Sequence, residues 1–190
     1  MTLGKIEIII YLQHSAVLKY KTKGQIDLAI IVEPYMKEKI IPAIKIWNEV
    51  VREGVAFPQE EELDEESGDK FFSAQSFTGL AVEEETGEIL AIYILHPNNV
   101  GRCGHISNAS YAVRSDVRGK HIGEIIVTHC IKKARELGFR ILQFNAVVAD
   151  NLRARKLYKK LGFTELGTIH GGFRMPDGTF ADIVPQFIEV

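Results

Sequence analysis

Tyr111-Ala-Val-Arg-Ser-Asp-Val-Arg-Gly-Lys-His-Ile-Gly-Glu-Ile-Ile-Val127 joins a strand to a helix, and the rest of the architecture follows from that junction. Tyr111, Ala112 and Val113 finish a β-favouring run, and Arg118-Gly119-Lys120-His121-Ile122-Gly123 opens a long amphipathic segment. The first N–H groups of a helix have no partner within it, and its N-terminus carries about half a positive charge. Such an opening attracts phosphate. Gly119 and Gly123 lack a Cβ, so a pyrophosphate can approach the main chain, and Arg118 and Lys120 add charge nearby. The stretch predicts a phosphate-bearing ligand at its turn.

Upstream, residues 105–113 read as the strand entering the junction. Two β runs, 77–83 and 89–95, flank Glu84-Glu85-Thr86-Gly87-Glu88 and predict an antiparallel hairpin. Ile40, Ile41, Ile44, Trp47, Val50 and Val51 recur at spacings of three and four, which predicts a helix over 34–53 stopped at Gly54. Pro42 lies inside it and predicts a kink or a break into two helices. The acidic block 57–67 reads either as a solvated loop or exposed helix start, or as the border of a substrate mouth where Glu60 or a neighbour favours a cationic amine. A nearly continuous apolar run at 26–32 predicts a strand buried on both faces. Residues 1–24, with β runs at 6–11 and 16–20, predict an N-terminal arm or hairpin.

Downstream, a helix from Gly119 to about Leu137 is ended by Gly138, and 139–148 reads as the next strand. Asp150 or Asn151 caps a helix that runs to about Leu161 and stops at Gly162. Closing strands follow at 163–169 and 180–188, with a turn at Met175-Pro-Asp-Gly178 between them. The order is mixed α/β in one domain, 25–190, with parallel neighbours across the crossover from 105–113 to 139–148. The junction then sits at the C-terminal end of its strand, where open α/β sheets bind ligands.

A chain of 190 residues, 46% apolar and 25% charged, suits one globular domain with a real core. A net charge of −2 argues against a general nucleic-acid binder. Cys103 and Cys130 are too few for a disulfide framework or a zinc cluster, so no metal is expected. No apolar run approaches the ~20 residues of a membrane-spanning helix, and the N-terminus lacks a signal-peptide pattern. The expectation is a cytoplasmic protein with no membrane or nucleic-acid partner.

Two common phosphate loops do not fit. A Walker loop needs Lys-Ser/Thr after its last glycine, whereas Gly123 is followed by Glu124-Ile125. A dinucleotide fingerprint needs three glycines, and only Gly119 and Gly123 are here. Arg118-Gly-Lys-His-Ile-Gly123 instead resembles the Arg/Gln-x-x-Gly-x-Gly/Ala signature of the GCN5-related N-acetyltransferase (GNAT) family, with His121 in place of the central glycine. Asn151-Leu-Arg-Ala-Arg-Lys-Leu-Tyr-Lys-Lys-Leu-Gly-Phe163 is similar to that family's second motif, Asn-x-x-Ala-x-x-Leu-Tyr-x-x-x-Gly-Phe. Residues 105–111 and 144–151 further resemble the branch containing fungal acetyltransferases of toxic proline analogues.

The resemblance implies an α/β fold with a mixed, mainly antiparallel sheet, a splayed central parallel strand pair and flanking helices. It implies an acetyltransferase using acetyl-CoA, with no metal. Tyr111, Ala112 and Val113 would bind the pantetheine as an added strand, and residues 118–123 (Arg118, Gly119, Lys120, His121, Ile122 and Gly123) would hold the diphosphate. Asn151 would cap its helix and reach the pantetheine, and Tyr158 would donate a proton to the departing thiol. Asn108 and Asn145, on the two splayed strands, are substrate candidates or structural hydrogen-bonding groups. His105 is the candidate base by chemical type, against a structural role at a strand start. The acceptor is read as a small-molecule amine. A protein lysine or N-terminus, and a non-catalytic acyl-CoA-binding protein, remain alternatives, and a homodimer stays open.

Overall fold

The computed structural model describes residues 29–190 and the backbone of 17–19. The expected strand at 6–11 and most of the arm lie outside the described residues. Within them, β1 (Val17–Lys19) pairs antiparallel with β2 (Ala29–Pro34). Then come α1 (Ile40–Glu53), α2 (Glu65–Ser73), β3 (Phe77–Glu83), β4 (Ile89–Pro97) and β5 (Ile106–Val113). The second half holds α3 (Ile122–Glu136), β6 (Ile141–Phe144), α4 (Leu152–Lys160) and β7 (Thr164–Glu165). A hairpin of β8 (Ile169–Arg174) and β9 (Phe180–Ile183) precedes β10 (Gln186–Glu189).

Eight strands form one sheet in the order β1-β2-β3-β4-β5-β6-β10-β7, and β8 and β9 form a separate two-stranded sheet. Every pairing in the large sheet is antiparallel except β5 with β6. That parallel pairing consists of Ile106 with Ile141 and Ser107 with Leu142, pinned by Ser107 Oγ donating to the Ile141 carbonyl at 2.9 Å. Beyond Ser107 the two strands part. β5 continues to Val113 against β4 alone, while β6 is held by β10 from Ile141 to Phe144.

Alternation along the strands sends side chains to two cores. Ala81, Tyr93, Leu95 and Ala109 pack under Ile122, Ile125, Ile126 and Cys130 of α3. Leu80, Val82, Ile92, Ile94 and Ala112 pack under Ile46, Trp47 and Val50 of α1 and Phe72 of α2. Removing these surfaces from water, at about 25 cal/mol per Å², is the main favourable term. Tyr93 fits only because Gly79 faces it, since a Cβ there would come 2.2 Å from its ring.

Several expected boundaries move, each for a local reason. Pro42 makes no kink within the helix. It is the third residue of α1, after a 3-10 turn at Lys37–Lys39, where its missing N–H has no intrahelical partner to lose. The acidic block forms a loop and then α2, whose N-cap Asp64 accepts from Ser67 N at 2.7 Å in a capping box. The strand expected over 139–148 ends at Phe144, and Val148 makes a lone bridge to Ile183. The strand expected over 163–169 reduces to β7, with β8 starting at Ile169. The one expected over 180–188 breaks at Val184-Pro185 into β9 and β10.

Candidate active site

At the junction, β5 gives way to a 3-10 turn at Ser115–Val117, an extended Arg118, and Gly119 at φ 89°. α3 begins at Ile122, later than the glycine that the sequence suggested, with His121 as N-cap. His121 takes the left-handed conformation (φ 64°), which an ordinary residue adopts at a cost of about 1 kcal/mol or more. Its imidazole Nδ1 lies 3.5 Å from Glu124 Oε2. The Arg118 and Lys120 amides close turns on the carbonyls of Ser115 and Val117. Those of Gly119, Ile122 and Gly123 bond to no backbone carbonyl among the described residues. Three amides therefore remain to face an anion.

The two cationic side chains of the junction are placed differently, and Arg118 lines the cavity. Arg118 Nη1 pairs with Glu53 Oε1 at 2.7 Å, and its Nε donates to the Val113 carbonyl at 3.1 Å. It ties the end of α1 to the junction. Lys120 is exposed and does not line the cavity.

The junction opens onto a cavity of about 730 Å³ that passes through the gap between β5 and β6. Gly119, Gly123, Asn151, Leu157 and Tyr158 line one half. Gly123 leaves a gap there, since a Cβ would still be 3.6 Å from Leu157. Asn151 caps α4, its Oδ1 accepting from Ala154 N at 3.2 Å. Tyr158 is wedged against Phe144 (ring centroids 4.6 Å apart) and Phe163 (5.4 Å). Burial pushes its phenol well above the usual range, so it stays protonated and keeps an O–H to donate. Tyr111 and Val113 also line the cavity, whereas Ala112 turns its side chain into the α1 core and offers only main chain.

Beneath this half lies a buried polar cluster that the sequence did not announce. Tyr93 Oη is 2.7 Å from His129 Nδ1. Burial pushes His129 down to about 4 and the Cys130 thiol up to about 12, so the imidazole is neutral and the thiol is not a nucleophile at neutral pH. The Tyr111 hydroxyl is buried beside the Cys130 thiol and makes no well-formed hydrogen bond.

The other half is walled by Val55, Ala56, Phe57 and Pro58 after α1, and by Met175 and Ala181 of the β8–β9 hairpin. Asn108 and Asn145 line it from the two parted strands. Asn108 Oδ1 accepts from Ala109 N at 2.8 Å. Asn145 exchanges hydrogen bonds with Asn98 (2.6 and 3.3 Å) and accepts from Gln143 at 2.9 Å. Gln143 belongs to its own strand, whereas Asn98 follows β4 and holds it from the other side of the gap. His105 is exposed at the far end of β5 and does not line the cavity. Glu60 is paired with Arg174 and is no open carboxylate awaiting a cationic amine. Asn98 and Met175 had no signal in the sequence beyond lying in turns, and Arg174, at the end of β8, had none.

Comparison with known proteins bears on this geometry. The profile of the Acetyltransferase (GNAT) family matches residues 44–163. The chain is 27% identical over 155 residues to the N-acetyltransferase aca1 of Schizosaccharomyces pombe, covering 73% of this chain and 74% of that protein. Its fold is similar to that of a GCN5-related N-acetyltransferase from Kribbella flavida, with TM-score 0.78 and 27% identity over 85% of this chain and 98% of that one. A phosphinothricin acetyltransferase from Sinorhizobium meliloti, solved in complex with AcCoA, shares the fold at TM-score 0.77 and 18% identity, over 84% of this chain and 87% of that one.

Proposed function

From the premise that this chain belongs to the acetyltransferase (GNAT) family, we propose that it transfers an acetyl group from acetyl-CoA directly to the amine of a small molecule. The observation that carries this reading is the line from the amides of Gly119, Ile122 and Gly123, along the unpaired edge of β5, to the two asparagines across the gap. The residues fit the cofactor: three amides suit a diphosphate, and a strand edge without a neighbour suits the amides of a pantetheine arm. Acetyl-CoA supplies an activated thioester.

The protein's part is to orient and polarise. Main-chain N–H on the open edge of β5 holds the acetyl carbonyl and stabilises the charge that develops on its oxygen. Tyr158 donates a hydrogen bond to the sulfur as the C–S bond breaks and the N–C bond forms. Asn108 and Asn145 orient the acceptor, and its proton leaves to water, because His105 lies outside the cavity. Enclosure of the acceptor half by residues 55–58 and the hairpin favours a small amine over a protein chain. Thiol release from acetyl-CoA with a panel of amines tests this. The expected result is acceptor-dependent release, and acetyl-CoA binding without release for any amine would leave a binding protein instead.

A further inference from the structure

The segments that wall the acceptor half are anchored very differently. The stretch from Gly54 to Asp64 is fastened to α1: Trp47 Nε1 donates to Gln59 Oε1 at 2.8 Å, and Asn48 bonds Leu63 through both its amide atoms, at 2.8 and 2.9 Å. The β8–β9 hairpin stands apart from the large sheet. It is joined by the Val148–Ile183 bridge, by two neighbouring bonds, Ala149 N to the Asp182 carbonyl and Val184 N to the Val147 carbonyl, both 2.8 Å, and by a small apolar cluster of Phe173, Ile183 and Met175 on Val148. Its turn end reaches the fixed wall at two places. Pro176 packs on Gly54, where a Cβ would come 2.4 Å from its ring, and Arg174 pairs with Glu60. Both partners are exposed, at 61% and 71% of the side chain, so the pair adds little to global stability.

We propose that Glu60 and Arg174 form a latch that holds the hairpin against the fixed wall and so limits the size of amine admitted. This rests on the acetyltransferase reading for the identity of the guest, and on geometry alone for the latch. Because Met175 adjoins Arg174 and lines the cavity, release of the latch frees one wall of the acceptor half while the amides at 119–123 stay in place.

The test is hydrogen–deuterium exchange of residues 169–183 in wild type, Glu60→Gln, Arg174→Gln and the charge-swapped Glu60→Arg/Arg174→Glu protein. Exchange is expected to speed up about two- to fivefold in each single variant, the scale of an exposed ion pair, and to return to the wild-type rate in the swap. In parallel, the ratio of kcat/KM for phenylalanine amide to that for glycine amide should rise in the single variants, with the KM for acetyl-CoA unchanged. Unchanged exchange in both single variants, or no rescue by the swap, overturns the latch. Faster exchange with an unchanged ratio overturns its role in selection. If wild type acetylates neither amide, the acetyltransferase reading suffers, and exchange alone decides the latch.

Discussion

The cofactor half of the cavity offers main chain from the turn at 119–123 and the edge of β5 beside the side chains of Asn151, Leu157 and Tyr158, whereas the acceptor half is walled by the loop after α1, the parted strands and the β8–β9 hairpin. Main-chain sites depend on where the helix starts and where side chains are absent, so few residue types can build them. Side-chain walls depend on which segments happen to meet, and many residue types serve. The first half can therefore be common to many enzymes while the second is particular to each.

Breaking the cofactor half should have the largest effect. Gly123→Glu puts a carboxylate where a diphosphate would lie, and like charges in contact cost several kcal/mol, so the Kd for acetyl-CoA by calorimetry should rise about 100-fold or more. Acid should loosen the same half from below. The His129 pKa falls from 6.5 to about 4 on folding, so the unfolded chain binds the extra proton between those values and stability drops as pH falls through them. The full loss below pH 4 is about 3 kcal/mol, and denaturation of His129→Gln, which still accepts from Tyr93, should show a flatter dependence. Tyr158→Phe should lower kcat by about 10- to 100-fold and leave the melting temperature near wild type, since Tyr158 Oη bonds to no other described group.

Changes in the acceptor half should be smaller and confined to the amine. Asn108→Ala should raise the acceptor KM about tenfold, the worth of one or two hydrogen bonds, with acetyl-CoA affinity unaltered. Gly54→Ala, at φ 62° and with its Cβ 2.4 Å from Pro176, should cost more than about 1 kcal/mol in chemical denaturation. An acetyl-CoA affinity that followed Asn108→Ala would blur the distinction between the halves.

The same distinction explains what was legible in the sequence. Arg118 to Gly123 and Asn151 to Phe163 disclosed the junction and α4 because the relevant contacts are local. The helix start slipped to Ile122 because Gly119 serves the turn and His121 accepts a left-handed backbone. β6 ended early because its outer edge is set by β10, more than forty residues away, and no alternation within 139–148 encodes that partner. Glu60 read as one carboxylate of an acidic block with no cationic partner in view, because Arg174 lies 114 residues further on. The amide group of Asn98, Gln143 and Asn145 was hidden in the same way.

The parting of β5 and β6 after Ser107 has a practical corollary for handling the protein. An unpaired strand edge in the middle of a sheet is a template for any extended chain that reaches it, including an unfolding copy of the same protein. Preparations stripped of coenzyme should aggregate sooner in storage than loaded ones, with light scattering rising with concentration, and added coenzyme A, the product of the transfer, should act as a preservative.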